Sequence, residues 1–440
     1  MTPDAPLDRL SAGDTAWVLV STALVMVMVP GLALFYGGLV RARAALNTFM
    51  MSIAALAVVS VQWVLFGYSL AFAPGTRFTG SLAWLGLRGV GAAPEPAYAA
   101  TIPHLAFAGF QAMFAGITIA LVSGAMVERV KFHLYLLFVL LWTTLVYDPL
   151  AHWVWGSDGW LRALGALDFA GGTVVHVSAG TAALVAAIVI GQRRDLGAKT
   201  PLLPHNVPLT LLGAGLLWFG WFGFNAGSAL SAGPVAANAL VATHGAAAAA
   251  LTTWIVLDLA RTGHATAVGA ATGAVVGLVA ITPAAGYVTP ASALAIGALG
   301  ASASYAAVQL RGRTGIDDAL DVFACHGVAG TVGALLTGVF ATRAVNPAGG
   351  DGLLYGNPAQ LGVQAIAVAA TVAFTALVTL VVLLRLRAFS PLRVPLPAEL
   401  TGVDLSEHGE YAYHGRDSVD TSGEGAVPLG GGVILADRGA

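Results

Sequence analysis

Charge is what this sequence lacks. Twenty lysines and arginines and 22 aspartates and glutamates among 440 residues leave 10% charged, against about 25% in an ordinary soluble domain. A surface so poor in charge does not stay dissolved in water, so the solvent must be lipid. The net charge of −2 leaves no basic excess for nucleic acid. A single cysteine, Cys325, excludes an intramolecular disulfide and any thiolate-rich metal centre. What is abundant is apolar: 57% of the chain is hydrophobic and 55 residues are glycine. That composition excludes disorder and suits close helix–helix approach in a membrane.

Apolar runs of about 20 residues, enough to cross a bilayer as a helix, recur eleven times. They lie at 15–40, 47–72, 101–127, 132–151, 168–190, 207–230, 236–260, 265–283, 287–310, 317–341 and 359–384. They are too long and too uniform for barrel strands. The chain therefore reads as an all-α polytopic membrane protein. Alternate connections carry Arg41, Arg43, Arg129, Lys131, Arg193, Arg194, Lys199, Arg261, Arg311, Arg313, Arg385 and Arg387, whereas the other side has only Arg9, Arg77, Arg88, Arg162 and Arg343. Basic residues stay cytoplasmic, so the N-terminus reads as outside and the C-terminus as inside. Met1 to Gly13 has no basic n-region, and the first run reads as a retained helix.

Residues 1–390 form the membrane domain on this reading, and 391–440 a cytoplasmic tail. Thr401 to Tyr413 is polar, yet Val403, Leu405, Tyr411 and Tyr413 give it anchors. It reads as an ordered regulatory segment whose Asp404, Glu407 and Glu410 face Arg193, Arg194, Arg311 and Arg313. The Gly-rich stretch 422–440 reads as disordered.

HVSAGT from His176 and HGVAGT from His326 share the pattern H-x-x-A-G-T, 150 residues apart. They fall in spans 5 and 10, which run in opposite directions. This is the mark of an inverted repeat, spans 1–5 against 6–10, with span 11 outside it and the substrate path at the repeat interface. Counting helical rise from Asp168 and from Asp317 puts each histidine about 12–14 Å into the bilayer, near its middle.

Ionisable groups inside spans are rare and functional by default. His176 and His326 are candidates for a pair of neutral imidazoles lining a narrow path. Two separate core histidines and a zinc site with Asp168 are the alternatives. Asp168 opens the run DFAGGTVVH and suits a helix cap. Phe110 and Phe114 share one face of span 3, Trp155 lies in a loop, and span 6 carries Trp221, Phe224, Asn225 and Ser228. Aromatic faces bind cations, though the same rings also suit an interfacial belt. Cys325 reads as a packing residue and His244 as core. Glu128 and Asp258, at span ends, suit solvated or capping roles.

At these residues the sequence resembles the ammonium transporter family (Amt/Mep/Rh), in its Amt branch. PGLALFYGGLVR from Pro30, GAMVER from Gly124, DFAGGTVVH from Asp168, WFGWFGFNAGS from Trp218, ITPAAGYV from Ile281, DVFACHGVAGT from Asp321 and GVDLSEHGEYAY from Gly402 carry the resemblance. It implies transport rather than enzymatic catalysis, in a homotrimer of the plasma membrane with one pore per subunit and no cofactor or metal. It implies an outer ammonium site of Phe114, Trp155 and Ser228 and a gate of Phe114 and Phe224 with Phe110 beside it. His176 and His326 would be the pore histidines, with Trp221 as a neighbour. Asp168, Asn225 and Thr282 would shape the site. A PII signalling protein would be a partner at the cytoplasmic face. An ammonium sensor with little flux, an Rh-like neutral-gas channel and an intramembrane metalloenzyme are the competing readings.

Overall fold

The computed structural model describes residues 9–194, 196 and 202–413; the end expected to be disordered, 422–440, lies outside them. Eleven helices carry the fold: α1 (Ala12–Leu39), α2 (Ala42–Phe72), α3 (His104–Ala125), α4 (Phe132–Leu164), α5 (Gly172–Ile190), α6 (Val207–Ala226), α7 (Pro234–Thr262), α8 (Ala267–Ile281), α9 (Pro290–Arg311), α10 (Phe323–Phe340) and α11 (Ala359–Phe389). All but α8 are long and apolar enough to cross a membrane; α8 is apolar but has only 15 residues. Among the described residues there are isolated β-bridges and no strand.

Local chemistry starts these helices. The side chains of Ser11, Asn206, Thr266 and Thr289 accept the amides of Asp14, Leu209, Gly269 and Ser292 at the starts of α1, α6, α8 and α9, satisfying donors a helix start leaves free. Helix α1 packs along α6, and α7 packs against α8 and α9.

Helices α5 and α10 begin later than the apolar runs suggest, at Gly172 and Phe323 rather than at 168 and 317. Residues 168–171 and 317–321 are not helical. His176 and His326 therefore sit in the first turns of their helices, and the count of helical rise from Asp168 and Asp317 does not apply. Both first turns are widened to π geometry, a distortion that recurs at functional sites. The two helices cross at their shared motif. A Cβ on Gly180 would lie 2.2 Å from the backbone nitrogen of Gly327, and one on Gly330 would lie 3.0 Å from the Cβ of His176. Each motif glycine thus receives the chain around the other motif's histidine.

One face of the molecule carries the tail. Helices α12 (Leu396–Thr401) and α13 (Val403–His408) lie there. Asp404 and Glu407 of this segment meet backbone amides rather than the arginines expected for them. Asp404 accepts the backbone amides of Leu46 and Asn47 near the start of α2, at 3.1 and 2.7 Å. Glu407 accepts the amide of Phe132 at the start of α4, at 2.8 Å. Helix starts offer free N–H groups and a positive dipole end, so these carboxylates act as caps supplied from far along the chain. Glu399 pairs with Arg393 at 2.6 Å and accepts the amide of Arg194.

The arginines are engaged elsewhere. Glu128 is buried between Arg41 and Arg193, at 2.8 and 2.9 Å, rather than solvated. Arg193 also reaches Asp317 at 2.9 Å, and Arg129 donates to the Asp317 carbonyl at 2.6 Å. Arg311 pairs with Asp321. Burial pushes Glu128 and Asp317 up, but their guanidinium partners outweigh it and hold both carboxyls below their ordinary values. Asp318, buried with the amide of Phe323 as a donor, is pushed up to about 6 by burial.

His244 is not core. It is exposed on α7, with its ring 5.3 Å from that of Trp218.

Candidate functional site

At the face opposite the tail, α3, α4, α6 and the chain before α5 enclose an open cavity of about 730 Å³ lined in part by Gln111, Phe114, Trp155 and Ser228. Trp155 is the last residue of the helical stretch Asp148–Trp155 in α4 rather than part of a loop, and its indole is fixed by Nε1, which donates to the carbonyl of Asp168 at 2.9 Å. Its ring meets Phe114 edge-on, with centroids 6.1 Å apart at 87°. The Ser228 hydroxyl donates to the carbonyl of Phe224 at 2.8 Å. Its one proton is thereby used, and its lone pairs remain as acceptors.

The Asp168 carboxylate is spent on the start of α5. Oδ1 accepts the amides of Gly171 and Gly172 at 2.8 and 2.5 Å, and Oδ2 accepts those of Thr173 and Val174 at 2.8 and 3.2 Å. The Thr173 hydroxyl also donates to Oδ2. Gly171 turns the chain into the helix at φ 108°, where a Cβ would meet Val175 at 2.4 Å. Asp168 thus holds the turn that carries Trp155's anchor on one side and His176 on the other. It does not join the histidines in a metal site, and among the described residues no three His, Cys, Asp or Glu side chains converge on one point.

The floor of the cavity is aromatic. Phe114 and Phe224 stack with centroids 4.2 Å apart at 19°. Phe110 packs against Phe114 at 4.9 Å. All three are buried. Beneath them, an enclosed space of about 10 Å³ is lined by apolar side chains, Trp221, Phe224, His176 and His326. The Trp221 ring lies 5.4 Å from His176 at 24° and donates its Nε1 to Thr282 Oγ1 at 2.9 Å. The Thr282 hydroxyl donates in turn to the Leu278 carbonyl. Asn225, buried, donates to Thr243 of α7 at 2.9 Å. Asn225 and Thr282 support the wall from behind.

His176 and His326 face each other Nδ1 to Nδ1 at 3.3 Å. A hydrogen bond there needs one protonated and one bare nitrogen. A neutral pair therefore presents one bare Nε2 and one Nε2–H to the path. On the far side of His326 a second cavity of about 660 Å³ opens toward the tail face, with Phe35, Tyr36 and Cys325 in its wall. Cys325 is thus a lining residue as well as a packing one.

Of the expected site residues, Phe114, Trp155, Asp168 and Ser228 line the first cavity, and His176, Trp221, Phe224 and His326 line the space beneath it. Behind these, Phe110 contacts Phe114, Thr282 contacts Trp221, and Asn225, next to Phe224 in the chain, bonds Thr243. Gln111 joins them in the wall of the first cavity without a motif to mark it. Its signal in the sequence is a lone amide in the apolar helix α3, three residues before Phe114.

The model of the Ammonium Transporter Family matches residues 16–413. An ammonium transporter of Bacillus subtilis is 50% identical over 405 residues, covering 92% of this chain and 99% of that protein. The crystal structure of Mep2 from Candida albicans is 38% identical, with a TM-score of 0.86 over 94% of each chain. A solved sensor Amt protein is 29% identical, with a TM-score of 0.83 over 90% of this chain and 98% of that one.

Proposed function

The chain belongs to the Ammonium Transporter Family and is a multi-pass protein of the plasma membrane, and from that premise we propose how it moves its substrate. Ammonium is recruited by Trp155, Phe114 and the lone pairs of Ser228. Desolvated cation–π contact is worth about 2 kcal/mol or more, and the hydroxyl adds a charge-assisted hydrogen bond. The Phe114–Phe224 stack, with Phe110 beside it, is the gate. Beyond it a bare charge in mid-membrane costs about 3 kcal/mol or more, so the cation gives a proton to water of the open outer cavity and ammonia passes the two imidazoles. Potassium has no proton to shed and is refused. The proton crosses separately.

The observation that carries this reading is the stacked phenyl pair directly above two imidazoles in contact, in an otherwise apolar space. The reading includes eleven spans, with α8 as the eighth, the N-terminus outside and the tail inside. Repeat-related halves are supported by the reciprocal packing of Gly180 and Gly330 and by α1 lying along α6. It further includes a homotrimer, a regulatory role for 401–413, and a PII signalling protein as the partner at the tail face.

The test is uptake by Trp155→Ala and Ser228→Ala proteins in liposomes. Each is expected to raise the half-saturating ammonium concentration about tenfold or more. Parental affinity, flux and competition by alkali ions in both would remove the outer site.

A further inference from the structure

We propose that Gln111 is a further substrate-binding residue of the outer cavity, its amide oxygen accepting an N–H of ammonium. This rests on the outer-site reading above. The need comes from counting donors. Ammonium has four N–H donors and no lone pair, so a site that strips its water must supply acceptors. The aromatic rings offer faces, and Ser228 offers one oxygen. Trp155 Nε1 is a donor already used on Asp168, and the Asp168 carboxylate is taken up by four amides and a hydroxyl. Among these side chains one free oxygen faces four donors.

Gln111 supplies another. It lines the same cavity as Phe114, Trp155 and Ser228. It is 9% exposed, and its Oε1 is buried without a hydrogen-bond partner. Leaving a buried carbonyl oxygen unpaired is costly, and turning the amide to set that oxygen against a small cation with spare N–H groups relieves it. Helical geometry fixes the placement: Gln111 is four residues after Phe107 and three before Phe114 on α3, so the three share one face. Phe107 is held in turn by Tyr98, whose ring stacks on it at 5.0 Å and whose hydroxyl donates to the Phe72 carbonyl. The amide is presented from a rigid wall, and a cation selects the orientation with oxygen inward.

The experiment compares ammonium uptake by the full-length protein and its Gln111→Met and Gln111→Glu variants in liposomes, with Trp155→Ala run in parallel. Methionine keeps the length and removes the acceptor. Its half-saturating concentration is expected to rise about tenfold, with the change falling on half-saturation rather than on maximal rate. Glutamate keeps acceptor oxygens and is expected to lower half-saturation at least about threefold. Parental half-saturation in Gln111→Met, or equal weakening by Met and Glu, overturns the proposal. Should Gln111→Met not assemble, Gln111→Glu decides alone, since an unchanged or raised value overturns it. If Trp155→Ala shifts half-saturation and Gln111→Met does not, the outer site stands without Gln111. If neither shifts, the outer-site reading falls as well.

Discussion

Gly180 of α5 lies so close to Gly327 of α10 that a Cβ on it would sit 2.2 Å from the Gly327 backbone nitrogen. This contact sets the crossing that holds His176 and His326 at 3.3 Å. Backbone cannot step aside as a flexible side chain can, so a methyl group here must push the helices apart. Gly180→Ala is expected to cost about 1–3 kcal/mol as an overpacked core and to reduce transport more than stability alone explains. Gly109→Ala, on α3 with open space around its Cβ position, is the control and is expected to be neutral or slightly stabilising. Thermal melting in detergent and uptake in liposomes check both.

Glu128 is shared by Arg41 and Arg193 in a buried setting. Glu128→Gln removes a buried ion-pair partner and is expected to destabilise by about 3–5 kcal/mol. Its pH dependence has a definite sign. The folded-state carboxyl titrates below its ordinary value, so its contribution is present above the unfolded value, about 4.3, and is lost as pH falls through the folded one. The melting difference between parent and Glu128→Gln is therefore expected to be constant above about pH 5 and to shrink on further acidification. Asp318, raised to about 6, acts with the opposite sign in the parent but cancels in this difference. A gap that widens in acid would contradict the pairing.

Asp404 and Glu407 tie the tail to the starts of α2 and α4. Asp404→Ala and Glu407→Ala are each expected to cost about 0.5–2 kcal/mol as lost caps and to loosen the segment, read as faster hydrogen exchange at residues 396–408. Deleting 401–413 is expected to reduce or deregulate uptake while assembly persists. Full, normally regulated uptake after that deletion would show the segment to be dispensable. Charge reversal at Arg311 or Arg313 is expected to leave the docking of this segment unchanged, because its acids meet amides.

The repeated H-x-x-A-G-T motif was legible because spacing and residue type alone expose it. It led to the two histidines that the fold brings into contact. Asp168 as a cap was legible for the same reason: an acid before a helical run has few other uses. The route to the centre was not. Helical rise assumes helix, and residues 168–171 and 317–321 are not helix. Span ends usually meet water, which favours a solvated Glu128; only three-dimensional packing brings Arg41 and Arg193 onto it. His244 looked buried because it lies in an apolar span, but one-dimensional apolarity does not say which face of α7 turns outward. The tail acids were matched to arginines by charge, while free amides at distant helix starts carry no sequence signature. Gln111 escaped because one amide in an apolar helix is indistinguishable from a packing defect until its neighbours are known.

On the proposed reading this protein passes ammonium and refuses potassium through the path that His176 and His326 line. The direct measurement is uptake of nitrogen-15-labelled ammonium and of a potassium tracer into liposomes containing only this protein. It is made near pH 6, where free ammonia is scarce, for the parent and for His176→Ala and His326→Ala. The account expects saturable ammonium uptake by the parent well above protein-free liposomes, no potassium uptake, and altered or abolished uptake in both variants with assembly intact. Parental uptake indistinguishable from protein-free liposomes, or identical flux and selectivity in all three proteins, would contradict it.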